Sequence, residues 1–395
     1  MIIREYSKVE LVFSSSESEA VKIALVNLRR DLIRTLDCSV TAGGIIRILV
    51  GTVGNLPELD EKADISKLRA EDGTYRKEAF LIQEKDGELL ITGTDRRGTI
   101  YGIYDFCEWL GVSPWYFFAD VPVRRRSEAV IENGYCKVDY PSVEYRGIFI
   151  NDEEELEHWV WRYMGETTIG VKTYEKIFEL LLRLKLNYIW PAMHVNSFNL
   201  KQENGALANR MGIVVGTSHC DMLMRSNNRE WKPWLAKKGY TDVEYDFSIP
   251  GRNREILKEY WRESVEQNRD FEVSYTVGMR GIHDSGFETK SLEGLTGEKL
   301  LKAKIELLES VMAAQQEILS ETLDTEPMKT FVPYKEVLEL YDNGLKVPED
   351  LTLIWTNDNY GYVRRYPGEK EKARKSGNGI YYHNSYWAPP GASYL

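Results

Sequence analysis

The sequence is short of the residues that would make it a metal, redox or nucleic-acid protein. Its 4 cysteines are Cys38, Cys107, Cys136 and Cys220. No two of them are spaced as CxxC, so neither a zinc ribbon nor a dithiol centre is written here. HExxH is absent, no HxH pair sits on a strand-like run, and no metal site is expected. No GxGxxG turn follows a strand-like run, which counts against a dinucleotide-binding open sheet. Basic residues are outnumbered, 51 Lys and Arg against 62 Asp and Glu, for a net charge of -11. A nucleic-acid partner needs a basic face and is therefore not expected. No apolar run approaches the length that spans a bilayer, so no membrane partner is expected either. The start, MIIREYSKVELVF followed by SSSESE, lacks the basic segment and apolar core of a secretory signal. Cys38 and Cys107 fall in apolar helical patterns and read as reduced core thiols, so the expectation is a cytoplasmic protein without a cofactor.

What is present is ordinary globular material with an aromatic surplus. At 395 residues the chain is long enough for two domains. The 10 Trp and 24 Tyr suit a protein that stacks flat ligands or sugar faces, and large cores use them equally.

Residues 17–37 carry apolar residues at helical spacing, with Ser16 and Glu19 as a capping box. Residues 45–50 read as a strand, and 79–83 with 88–92 as a hairpin turned at Asp86-Gly87. A helix is expected from Gly98 to Leu110, stopped by Gly111. These elements make residues 1–140 a small α/β domain.

After Pro141 the rhythm changes to strand-like runs alternating with helical patterns, the mark of a parallel sheet built from βα units. The expected strands are 145–151, 187–191, 213–217, 271–278, 330–334, 351–356 and 379–383, with helices over 174–184, 252–267 and 297–323. The fold class is therefore α/β, with the N-terminal domain followed by a (β/α)8-type barrel over 141–395. Seven strands leave that barrel one short, so the expectation is a C-terminally incomplete barrel, closed by more chain or by a second chain.

Barrel enzymes set their chemistry at the C-terminal ends of strands. The stretch LIWTNDNYG (353–361) stops an apolar strand in three side chains that want hydrogen bonds, and the other strands stop similarly. They end in Asn151-Asp152, His194 with Asn196, Ser218-His219, Arg280 through Asp284, Lys335-Glu336, Asn357-Asp358-Asn359 and His383 through Tyr386. Of 5 histidines, His194, His219, His283 and His383 all fall at these ends. Asp152, Asp284, Glu336 and Asp358 supply the carboxylates that glycoside hydrolysis needs in pairs. Arg280 offers a planar fork suited to a carboxylate ligand, which points to an acidic sugar. The bland readings stand beside these. Glu336 would also suit a helix N-terminus, Asp284 pairs naturally with Arg280, and Asp152 opens the run DEEE, a pattern common on solvated faces. His158, Trp159 and Trp161 read as packing rather than sugar stacking, and Arg124-Arg125-Arg126 as a solvated turn.

Several stretches in order resemble the xylan α-1,2-glucuronidases of glycoside hydrolase family 115. They are YRGIFINDE (145–153), WPAMHVNSFN (190–199), GTSH (216–219), VGMRGIHD (277–284), VPYKE (332–336), WTNDNYGYVRR (355–365) and YYHNSYW (381–387). The run 93–120 resembles the domain that precedes the barrel in that family. The resemblance implies an inverting enzyme that removes α-1,2-linked glucuronic acid, or its 4-O-methyl ether, from glucuronoxylan or aldouronic oligosaccharides. It implies Glu336 as general acid. Asp152, Asp284 and Asp358 become candidates for the base or for positioning water, and Arg280, His219, Asn359, His383 and Tyr386 substrate-binding positions; His194 reads equally as a helix cap or a substrate-binding residue. Three departures stand out. Asn357 occupies a position where the family usually has an acid, Cys220-Asp221-Met222 replaces His-Glu-Pro, and family members continue into further domains that in some help form a homodimer. Two other readings stay open: a hexosaminidase-like glycosidase, and a truncated or degenerate homologue that binds a sugar acid without turnover.

Overall fold

A computed structural model of the protein describes residues 1–150, 153–358 and 361–383. Its contacts divide the chain into two compact units. The first holds 1–148, 171–188 and 207–213, and the second 149–170, 189–206 and 214–395.

The first unit is built on a six-stranded sheet in the order Ser39–Val40, Lys8–Val12, Ile46–Thr52, Glu88–Gly93, Phe80–Lys85, Cys136–Asp139. The expected hairpin is there, turned by Asp86 and Gly87 at φ 53° and 80°, a pair that matches the twist of the strands. Helix Glu19–Leu36 starts two residues later than the sequence pattern implies. Ser18, not Ser16, caps it by accepting the Val21 N–H, while Ser16 bonds Ser14. Helix Arg96–Leu110 is capped by Asp95 and ended by Gly111 at φ 112°, which only glycine adopts without strain. Helix Val171–Arg183 also belongs to this unit. Its Arg183 pairs with Asp31 at 2.6 Å and with Glu179 at 2.9 Å, fully buried, and Arg30 closes the network on Glu179.

All seven strands expected after Pro141 form. The first four are two or more residues shorter than expected and the last three one residue shorter, with Met328–Phe331 and Asn378–Tyr381 beginning two and one residues early. Gly147–Phe149, Tyr188–Trp190 and Val214–Val215 make a three-stranded sheet with Tyr188–Trp190 in the middle. Gly147 is needed there, since a Cβ would lie 2.1 Å from the Tyr188 carbonyl oxygen. Ser274–Thr276, Met328–Phe331, Thr352–Thr356 and Asn378–Tyr381 make a second sheet in chain order, all parallel. A parallel bridge between Val215 and Val273 joins the two, so the seven strands stand in one row in sequence order. Tyr381 of the seventh strand packs its ring on Phe149 and Trp190 at 5.4 and 5.3 Å, which brings the end of the row beside its beginning. The α/β class read from the sequence is what the structure shows.

The interior of the row is partly polar. Thr217, Thr276 and Thr330 are fully buried, and the Thr276 hydroxyl bonds both the Thr217 carbonyl and the Thr330 hydroxyl. Behind the fourth strand, helix Gly297–Thr322 presents Gln315. Its amide accepts from the Gly278 N–H and donates to the Gly278 carbonyl, both at 2.8 Å. The side chain stands in for the ladder where the backbone turns away at φ 131°. This fixes the segment that follows, Met279 to Asp284.

Candidate active site

The carboxylate and guanidinium groups meet at the ends of the fourth and fifth strands. Arg280 is 3% exposed and gives its Nε and Nη2 edge to both oxygens of Glu336, at 2.9 and 2.8 Å. Its Nη1 pairs with Asp284. Asp284 has two further partners. Its Oδ2 takes Lys335 Nζ at 2.6 Å and its Oδ1 lies 2.9 Å from His219 Nε2. Glu336 has one more, the Phe287 N–H at 3.2 Å. His219, Asp284, Arg280, Lys335 and Glu336 thus form one chain of contacts. Bidentate pairing of this kind is among the stronger side-chain interactions and fixes both planes.

Backbone strain collects at the same place. His283, Asp284 and Lys335 all hold positive φ, at 58°, 59° and 51°. Each such residue costs on the order of 1–3 kcal/mol, and such costs persist where surroundings enforce them. Here Asn227 helps enforce them. Buried itself, it donates to the Gly281 and Cys220 carbonyls and accepts from the His283 N–H.

The protonation states follow from burial and neighbours. Burial, then Arg280 and Lys335, push His219 down to about 3, so it is neutral at physiological pH. Its Nε2 faces a carboxylate oxygen and therefore carries the hydrogen. That leaves Nδ1 a bare acceptor, buried with no partner among the described residues. His383 is also depressed, first by burial. Its backbone N–H and its Nδ1 both meet Asn357 Oδ1, at 2.9 and 2.7 Å, while Asn357 Nδ2 faces the His383 carbonyl at 3.4 Å. The backbone donor fixes which way the amide points, so Nδ1 of His383 carries the hydrogen and Nε2 is bare. Tyr334 lies between the two imidazoles, 4.8 Å from His219 and 6.1 Å from His383. Burial would raise Glu336, yet the hydrogen bonds and charge of Arg280 prevail and hold it below the usual carboxylate range. Burial lowers Lys335, and Arg280 adds to that.

A cavity of about 420 Å³ opens beside this chain of contacts, lined by Phe149, Glu153, His194, His219, Asp221 and Asp284 among others. Glu153 is its least expected member. It is 1% exposed, and its Oε1 accepts the backbone N–H groups of His194 and Val195. Its Oε2 is buried without a hydrogen-bond partner among the described residues. Burial raises it to about 7, against the lowering effect of those N–H groups.

The sequence-derived candidates fall into three groups. Glu336, Asp284, Arg280 and His219 come together directly. His383 reaches His219 by way of Tyr334, and His194 lines the cavity with its ring 4.2 Å from that of His283. Asp358 is engaged in its own turn, accepting the Tyr362 N–H at 2.9 Å and pairing with Arg364 at 2.5 Å. Asp152, Asn359 and Tyr386 lie outside the described residues. Sequence reasoning passed over Glu153, Lys335, Asn227 and the clamp formed by Asn357. Lys335 alone had a signal, its place directly before Glu336 at a strand end.

His219, Cys220 and Asp284 bring three potential metal-ligating atoms within 4.8 Å of one another. The set does not suit a cation. Asp284 already carries Arg280 and Lys335, and burial raises the Cys220 thiol, which keeps it protonated.

The family model for glycosyl hydrolase family 115 matches residues 138–394. No curated protein sequence matches the chain. Among solved structures, the chain superimposes on BtGH115A, described as a family GH115 4-O-methyl-α-glucuronidase with specificity for decorated arabinogalactans. The TM-score is 0.87 at 35% identity, over 99% of this chain and 50% of that one. An exo-β-N-acetylglucosaminidase of family GH20 from Vibrio harveyi, solved with N-acetylglucosamine, shares the fold at TM-score 0.51 and 14% identity, over 91% of this chain and 55% of that one. The chain thus spans half the length of the family GH115 structure it matches.

Proposed function

Since the chain belongs to glycosyl hydrolase family 115, we propose that it carries the catalytic centre of an enzyme that hydrolyses the bond between glucuronic acid, or its 4-O-methyl ether, and a glycan. The observation that carries this reading is the bidentate contact of Arg280 with Glu336, linked through Asp284 to a cavity that Asp284 and His219 line. A buried, planar cation that already binds one carboxylate is the natural receptor for another.

In this reading Glu336 protonates the leaving glycosidic oxygen. A second carboxylate takes a proton from the attacking water as the C1–O bond breaks and the new one forms. Asp284 and Asp152 are the candidates for that base. Inversion would place the two carboxyl groups about 6.5–9.5 Å apart. The unprotonated nitrogens His219 Nδ1 and His383 Nε2 are our candidates to receive sugar hydroxyls, and both rings compete weakly for the proton because burial lowers their basicity. The linkage we propose is α-1,2, and the polymer glucuronoxylan. The specificity of BtGH115A supports decorated arabinogalactan as the second polymer to test.

The test is release of glucuronic acid from glucuronoxylan, from aldouronic oligosaccharides and from decorated arabinogalactan, with E336Q alongside. Loss of the acid should lower turnover by about 10²–10⁴. Release from none of the three by the folded wild-type chain would sink the reading.

A further inference from the structure

A general acid must hold a proton, and Glu336 is built not to. Both of its oxygens lie on Arg280, and the Phe287 N–H adds to the stabilisation of the anion. Among the described residues in direct contact, the charges balance. Arg280 and Lys335 face Asp284 and Glu336, and His219 between them is neutral. A sugar acid brings a third carboxylate into this set, and a buried excess anion is relieved by taking up a proton.

The two resident carboxylates are not equally anchored. Asp284 is held by Arg280 Nη1, by Lys335 and by His219. Glu336 depends on the Nε and Nη2 edge of Arg280 and one backbone N–H at 3.2 Å. That edge is the one a uronate can match with both of its oxygens. Resting on the glucuronidase reading above, we propose that the substrate's carboxylate takes Glu336's place on Arg280, so that binding of the charged sugar itself frees Glu336 to collect the proton it later donates. The proton comes from solvent on binding and passes to the leaving oxygen as the C1–O bond breaks. When the uronate departs, the Glu336 anion returns to Arg280. A neutral sugar of the same shape leaves Glu336 on Arg280, and the acid stays unloaded. The charge on the substrate thus contributes to the chemical step as well as to binding, and neutral glycosides are excluded by lack of an acid rather than by shape.

The measurement is proton linkage by titration calorimetry of the full chain at pH 6.5, in two buffers of different ionisation enthalpy. The ligands are D-glucuronate and D-glucuronamide, which differ only in the carboxyl group. We expect glucuronate to take up close to one proton with wild type and none with E336Q, and glucuronamide to take up none with either. Uptake of a proton by E336Q as well would assign it to another group and overturn the exchange. Glucuronate binding without uptake by wild type would also overturn it, while leaving the sugar-acid site intact. No glucuronate binding at millimolar concentrations would remove the glucuronidase reading and the exchange with it. As a second check, E336Q should bind glucuronate at least tenfold more tightly than wild type, because the neutral amide no longer contests Arg280. Equal or weaker binding would count against displacement.

Discussion

Replacing Asn357 by Asp restores the acid that the family resemblance leads one to expect there, and the structure says what that would do. Asn357 is fully buried, and its Oδ1 holds both the backbone N–H and Nδ1 of His383. A carboxylate in its place would sit against an imidazole nitrogen 2.7 Å away. At a charge separation of about 4 Å and an effective dielectric near 20, the attraction to a protonated ring is about 4 kcal/mol, or about 3 pH units. Burying the new charge and losing the amide donor to the His383 carbonyl take back part of this, so a net rise of about 1–2 units is expected. The sign of the pH dependence then reverses. In the wild type His383 is depressed, so its share of stability is lost as pH falls below the ordinary histidine value. The reversal requires that the rise carry the folded value above the unfolded one, which the titration reads directly. The ion pair then stabilises fully below about 6.5 and is lost as pH rises through the new value. With only 5 histidines, proton–nitrogen correlation spectra of the imidazoles resolve this directly. Turnover should not improve, since the new carboxylate faces His383 and not the cavity. A His383 midpoint that stays at or below its wild-type value would refute the clamp geometry, and a gain in turnover would mean the position activates water.

Q315L removes the one group that satisfies both the N–H and the carbonyl of buried Gly278, so two polar groups lose their partners at about 1–3 kcal/mol each. Urea unfolding should show a loss of about 2–5 kcal/mol, and a loss under 1 kcal/mol would mean water replaces the amide. E153Q keeps an acceptor for the His194 and Val195 N–H groups and removes a carboxyl raised to about 7. Such a group stabilises fully below about 4.5, and its contribution is lost as pH rises through 7. The variant should therefore gain on the order of 2–3 kcal/mol over wild type between pH 5 and pH 8, seen in the two urea midpoints. An unchanged difference would show that Glu153 is ionised throughout. Trp161 is 69% exposed, so its substitution by Ala should shift unfolding by less than about 0.5 kcal/mol, against the packing role the sequence suggested.

The strands after Pro141 were legible because each is an apolar run that ends in polar residues, a pattern set by burial on both faces followed by sudden exposure. Glu336 and Arg280 were legible for the same reason, as strand-end residues of opposite charge. Glu153 was not. In the run DEEE it looks like solvated surface, and what buries it is a pair of backbone N–H groups 41 and 42 residues further on, invisible to any local pattern. Asn357 was read for the base it cannot be, because its role as a clamp depends on the register that sets His383 beside it. The cap of the first helix moved by two residues because Ser14, Ser16 and Ser18 are interchangeable in composition and only the Val21 N–H chooses among them.

The positive-φ residues His283, Asp284 and Lys335 have a consequence for anyone evolving this protein. At each, glycine would relax the backbone by roughly 1 kcal/mol or more while deleting a side chain of the polar cluster. Heat-challenge screening and activity screening would therefore pull these three positions in opposite directions. In a library selected for heat resistance alone, they are where the hardiest clones would go silent first.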